Sequence, residues 1–155
     1  MQRADVLQPL SRQHKAALMT CLLIRKGISK QASVAVMTDF FLQCWEKDLA
    51  PHFKEEEEQI IPLLQKHEAG KPLADTILRD HDLIRTAITH LSQAHVNERL
   101  LEDLADQLEQ HVRYEERIVF QSMQEFIPAQ QLLQLKIHED DHQPVCNLYS
   151  NHFWE

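Results

Sequence analysis

Glycine occurs only twice and proline six times in 155 residues, so little of the chain carries the punctuation that ends or bends helices. With 43% hydrophobic residues and leucine, glutamine, glutamate and alanine prominent, it reads as mostly helical. Cysteine is also scarce. The three, Cys21, Cys44 and Cys146, are odd in number and widely spaced, which argues against a disulfide framework or a thiolate zinc site and suits reduced thiols. Basic residues are in deficit, 16 Lys and Arg against 24 Asp and Glu, for a formal charge of -8. A nucleic-acid backbone is therefore excluded as the main partner. No run approaches the roughly 18 consecutive apolar residues of a membrane span, since even "AALMTCLLI" is closed by Arg25 and Lys26. The opening residues "MQRADVLQPLSRQH" lack the pattern of a secretory signal. A cytoplasmic location is the expectation, with no membrane partner.

What the chain has in abundance is histidine, ten residues of it. Its length suits a single domain spanning 1–155, with a bundle over about 11–127 and a C-terminal extension over 128–155. Ser11 after Pro9 predicts the start of a first helix that Gly27 stops. A second runs from about Gln31 to His67, with a kink expected near Pro51 and a break near Pro62. A third follows "EAGKP", and Asn97 caps a fourth that ends before Pro128. Short connections predict an all-α, up-down-up-down four-helix bundle, followed by a short helix through "AQQLLQLKI" and a polar, aromatic-tipped tail.

Each helix carries an apolar stripe interrupted by ligand-type residues. The first reads Leu10, His14, Leu18, Cys21 and Ile24 or Arg25. The second reads Thr38, Phe41, Trp45, Leu49, His52, Glu56, Ile60, Leu63. The third reads Ala74, Ile77, His81, Ile84, Ile88, Leu91, and the fourth Leu101, Leu104, Leu108, His111, Glu115, Ile118, Ser122. His52 with Glu56 and His111 with Glu115 repeat a four-residue spacing that puts both groups on one helical face. Antiparallel packing brings early positions of odd helices level with late positions of even ones, so all six polar groups can meet.

Buried imidazoles and carboxylates need partners, and six of them breaking four stripes at one height point to a shared metal site. Four histidines and two carboxylates without cysteine favour iron, manganese or zinc over copper(I). A single tetrahedral zinc would leave two groups idle, whereas two ions use all six, each glutamate bridging. Glu55 and Glu116 are the competing carboxylates. Glu56 and Glu115 are preferred because they continue the stripes, with Glu57 and Glu58 pointing away and Arg113 and Arg117 offsetting acidic charge. The glutamate-then-histidine pair of ferritin-like bundles occurs only at Glu139 and His142, so that pattern is absent from the core.

His14, "HFKEE", His81 in "RDHDLIR" and "HVRYE", in this order from about Ser11 to Gln124, resemble the hemerythrin-like, or HHE cation-binding, family. The resemblance implies a non-heme di-iron centre, two iron ions bridged by oxygen or hydroxide, and a small diatomic ligand. The oxygen carriers of that family present two histidines four apart on the third helix, but here His81 has Ile77 four before it and Arg85 four after it. Their fourth-helix carboxylate lies five after its histidine, which would be Glu116; many bacterial members use the spacing of Glu115. A missing ligand leaves a more open iron. The functions compatible with this are binding or sensing of oxygen, another diatomic molecule or iron; oxidoreductase chemistry on oxygen, peroxide or nitric oxide; and a metal-free structural bundle.

Remaining residues have plainer readings. His138 and His142, four apart, read as a solvated helix end before a metal pair, and His67, His90, His95 and His152 fall off the seams and are expected to be exposed. Phe41 and Trp45 read as core before gas pocket, and Tyr114 as a helix-interface residue. The tail "NLYSNHFWE" can cap the bundle or dock on another subunit.

Overall fold

Pro9 lies in the first turn of helix α1 (Gln8–Ser29), where a missing N–H costs nothing because that donor has no intrahelical partner. In the computed structural model, which describes residues 2–93, 95–139 and 142–155, a 3-10 turn over Asp5–Leu7 leads into this helix. Ser11 therefore does not cap it. Gly27 does not stop it either: it is buried inside the helix, and a Cβ there would stand 2.6 Å from Phe153 Cδ1 and 2.7 Å from Met37 Sδ. The glycine is required by close packing, and the turn is made by Gln31 at φ 57°.

The second rod is α2 (Val34–Cys44), α3 (Ala50–Glu55) and α4 (Ile61–Gln65), joined by π-helical turns at Trp45–Leu49 and Glu56–Ile60. The Ser33 side chain caps it by accepting from Val36 N–H at 3.3 Å. The break expected near Pro62 is absent, and a wide turn lies just ahead of each proline. Proline has no N–H for the carbonyl four back; the residue before each proline instead donates five back, Ala50 to Trp45 and Ile61 to Glu56. The rod continues through both prolines.

Helix α5 (Lys71–Gln93) follows Gly70, where a Cβ would be only 2.1 Å from the Leu64 carbonyl oxygen. Ala74, Ile77, His81, Ile84, Ile88 and Leu91 are all buried, as their spacing predicts. The fourth rod is α6 (Glu98–Tyr114), capped by Asn97 on Leu100 N–H, and α7 (Phe120–Phe126), with a third π turn over Glu115–Val119. This turn corrects the stripe. Ile118 is exposed and Ser122 only half-buried, whereas Val119, Phe120 and Met123 face inward. The inserted residue shifts the register by one.

The rods run up-down-up-down, since the apolar side chains gather in two clusters at opposite ends. One takes Ile24 of α1, Phe40 of α2, Ile88 of α5 and Leu104 of α6. The other takes Leu10 of α1, Leu64 of α4, Ile77 of α5 and Met123 of α7. Each leucine or phenylalanine buried this way contributes about 1.5–3 kcal/mol. Past Pro128 come α8 (Ala129–Leu133) and α9 (Val145–Leu148), the latter not foreseen. The tail caps the first cluster: Phe153 is buried with its ring 5.1 Å from that of Phe40, and Tyr149 Oη donates to Asp39 at 2.7 Å. Among the described residues there is no strand, and no helix is long and apolar enough to cross a membrane.

Candidate metal centre

Between the two apolar clusters lies a layer of buried polar groups: His14 from α1, His52 from α3, Glu56 at the head of the second π turn, His81 from α5, His111 from α6 and Glu115 at the head of the third. All six positions expected from the stripes are brought together here. Their donor atoms form two sets suited to a cation, His14, His52, Glu56 and Glu115, and Glu56, His81, His111 and Glu115. Both carboxylates belong to both sets. Glu56 and Glu115 each stand at the first residue of a π turn, a departure from α geometry that recurs at functional sites. Pro62 hinted at the first of these turns; no residue type signalled the second.

The geometry is close around each imidazole. His14 Nε2 is 3.0 Å from Glu115 Oε1, His52 Nε2 is 3.3 Å from Glu56 Oε2, His81 Nε2 is 3.1 Å from Glu56 Oε1, and His111 Nε2 is 3.3 Å from Glu115 Oε1. The other ring nitrogens face outward onto acceptors. His14 Nδ1–H donates to Glu116 at 2.7 Å, His81 Nδ1–H to Glu57 at 2.6 Å, His111 Nδ1–H to Asp80 at 3.1 Å, and His52 Nδ1–H to Gln13. With Nδ1 protonated, a neutral ring presents its lone pair at Nε2. Four lone pairs then converge on two carboxylates, and His14 Nε2 meets His52 Nε2 at 3.1 Å.

Such an arrangement demands positive charge between the groups. Protons supply it in one way. Burial lowers the affinity of His14 for a proton, but hydrogen bonds to Glu115 and Glu116 and the nearby Glu56 carboxylate override this and hold its pKa well above the ordinary value. Burial likewise opposes protonation of His111, yet the Glu115 charge and the Asp80 hydrogen bond raise its pKa to about 10. Burial pushes Glu56 up, and the His52 charge with the close approach of the His14, His52 and His81 rings brings it well below the usual carboxylate range. A metal cation supplies the charge in the other way. Glu56 Oε2, His111 Nε2 and Glu115 Oε2 are buried without any hydrogen bond, and the donor set fits a borderline metal.

The outer contacts are the part that stripe reading missed. Glu57 does not point away, since it holds His81 and is itself held by Arg85 at 2.8 Å. Glu116 is the outer partner of His14, gripped by Ser11 at 2.8 Å and Arg3 at 3.3 Å. Glu55 faces the C-terminal extension, bonding His138 at 2.8 Å. The flanking cations are Arg3 and Arg85; Arg113 instead pairs with Glu109 at 2.6 Å and Arg117 is exposed. A signal was available: each inner glutamate is followed by a second glutamate, and Gln13 and Asp80 immediately precede His14 and His81.

Apolar cover comes from Phe53, whose ring stacks on His81 at 3.8 Å, and Phe120, stacked on His14 at 5.6 Å. Phe41 is core and Trp45 packs edge-on against Phe53. Tyr114 packs against the second apolar cluster. His138 and His142 go to different carboxylates, Glu55 and Asp48. His67 is half-buried, held by Gln131 at 2.7 Å, so only His90, His95 and His152 of the off-seam histidines are exposed.

Four antiparallel helical rods whose seams meet in a buried histidine–carboxylate layer define a helical-bundle cation-binding protein. The model of the Hemerythrin HHE cation binding domain family matches residues 5–123, and the chain belongs to that family. Comparison with curated proteins and with solved structures gave no match.

Proposed function

We propose that the chain is a non-heme di-iron protein that binds or senses oxygen, another small diatomic molecule, or iron. His14 and His52 would hold one ion and His81 and His111 the other, with Glu56 and Glu115, which belong to both donor sets, contributing to each. The observation that carries this reading is the convergence of four Nε2 atoms, each with its Nδ1 already donating, on two shared and fully buried carboxylates. A metal-free structural bundle would have to keep several buried imidazoles protonated instead. Iron held here supplies an electron-rich centre able to take up a diatomic ligand. The protein's part is to orient the imidazoles through their Nδ1 partners and to cover the site with Phe53 and Phe120.

The whole chain, 1–155, is read as a single domain with 128–155 as its extension, and its free thiols suit a cytoplasmic setting. Anaerobic loading with ferrous iron, metal counting, and spectra before and after oxygen test the proposal. Two ions per chain and an oxygen-dependent band that reverses on deoxygenation support binding or sensing. Steady consumption of oxygen, peroxide or nitric oxide moves the assignment to an oxidoreductase. One ion or none on a folded chain ends the di-iron reading.

A further inference from the structure

The two halves of the metal layer are related by an approximate twofold pattern that is broken at one residue. In each half, the residue before the odd-rod histidine accepts from the even-rod histidine, and the residue after the even-rod glutamate accepts from an odd-rod histidine. Three of these four acceptors are carboxylates: Glu116 on His14, Glu57 on His81 and Asp80 on His111. The fourth is the neutral amide of Gln13 on His52. A carboxylate accepting from Nδ1–H raises the basicity of the ligating Nε2, and an amide does so less. Because Glu56 and Glu115 belong to both donor sets, they do not distinguish the two positions. The difference lies in the outer acceptors. A cavity of about 510 Å³ beneath the C-terminal extension also lies on the amide side, lined by Gln13 and His52, with Arg12, Glu55 and His138 around it.

We propose that the two metal positions are unequal, with His81 and His111 holding a retained ion and His14 and His52 an exchangeable one, whose weaker hold is set by Gln13. This rests on the dinuclear reading above. Gln13 is a positioning residue, and converting it to a carboxylate should strengthen binding, an effect that a merely structural role would not produce.

The test is anaerobic titration of the metal-free protein with ferrous iron, followed by calorimetry, and then release of the bound iron to a chelator. Wild type is expected to bind in two steps at least about 10-fold apart and to release its iron in two phases of equal amplitude. Gln13→Glu should tighten the second step and slow the fast phase by about 10-fold, leaving the first step in place, while Asp80→Asn should weaken the first step by about 10- to 100-fold. Equal binding constants in wild type, or a second step and fast phase unmoved by Gln13→Glu, would overturn the proposal. If Asp80→Asn does not fold, the wild-type phases and Gln13→Glu still decide it. A stoichiometry of one ion or none in folded wild type overturns the dinuclear reading itself, and so is distinguishable from failure of the inequality alone.

Discussion

The apolar layers at the ends of the bundle and the polar layer between them solve opposite problems. At the ends, Phe40, Ile24, Leu104 and their counterparts around Leu10, Leu64 and Ile77 are satisfied by contact alone. In the middle, six buried groups are satisfied only if charge is added from outside, as protons or as metal. The contribution of the ends is therefore the same whatever the site contains, whereas that of the middle varies with its protons or metal. A binding layer of this kind is tolerable only when flanked on both sides by packing that does not depend on it.

Five measurements would break or sharpen that contrast. The largest effect belongs to the ends: Phe40→Ala should cost about 3–5 kcal/mol, equally with and without metal, in denaturant melts. A loss confined to the metal-loaded form would contradict the separation. Next comes the middle. Glu56→Ala or Glu115→Ala should weaken metal binding by more than ~100-fold, because each carboxylate belongs to both donor sets, beyond the range for outer contacts. Retention of metal at the parental level in a dialysis assay would point to a different set of carboxylates.

Ile77→His tests the boundary directly. It moves a polar group one turn from His81 into the second apolar cluster, where Ile77 is fully buried, and should cost about 1.5–3 kcal/mol in the metal-free chain. Iron should return part of this if the imidazole reaches the site; a thermal shift on iron loading no larger than in the parent says that it does not.

The pH dependence should have opposite signs for the two forms. With its pKa raised to about 10, His111 stabilises the metal-free chain fully below its ordinary value near 6.5, and that contribution is lost as pH climbs toward the folded value. Metal must displace the same proton, so affinity rises over that window. Melts and metal titrations at roughly pH 6 and roughly pH 9 check both slopes, and parallel slopes would remove His111 from the ligand set. The smallest effects grade the "EEEE" run: Glu57→Ala should lower metal affinity by about 10-fold through loss of its hold on His81, while exposed Glu58→Ala should change nothing measurable.

Much of this layering was legible in the sequence because burial follows helical spacing. The α5 stripe from Ala74 to Leu91 could be read residue by residue, and the inward residues of all four rods were enough to bring His14, His52, Glu56, His81, His111 and Glu115 to one height. What was not legible depends on atoms far apart in sequence or on helix geometry that propensity does not encode. Gly27 looked like a helix stop because nothing local reveals Phe153 lying against it. Glu57 looked solvent-facing because its partner His81 is on another rod. The inward positions after Glu115 were misplaced by one residue because a π turn without proline leaves no compositional mark.

That π turn has a consequence for how this chain tolerates change. A wide turn carries one residue more than the α-helical path between the same two faces, so Glu115–Val119 and Glu56–Ile60 act as built-in slack at the carboxylate ends of the site. Elsewhere in a helix a lost residue rotates everything beyond it by about 100°. Within these turns the same loss would relax the helix to ordinary α geometry and leave Val119, Phe120 and Met123 on their inward side. The lengths of the second and fourth rods are thus decoupled from their packing at the very residues whose carboxylates sit between the two donor sets, so a sequence can alter the aim of Glu56 or Glu115 without re-registering the core.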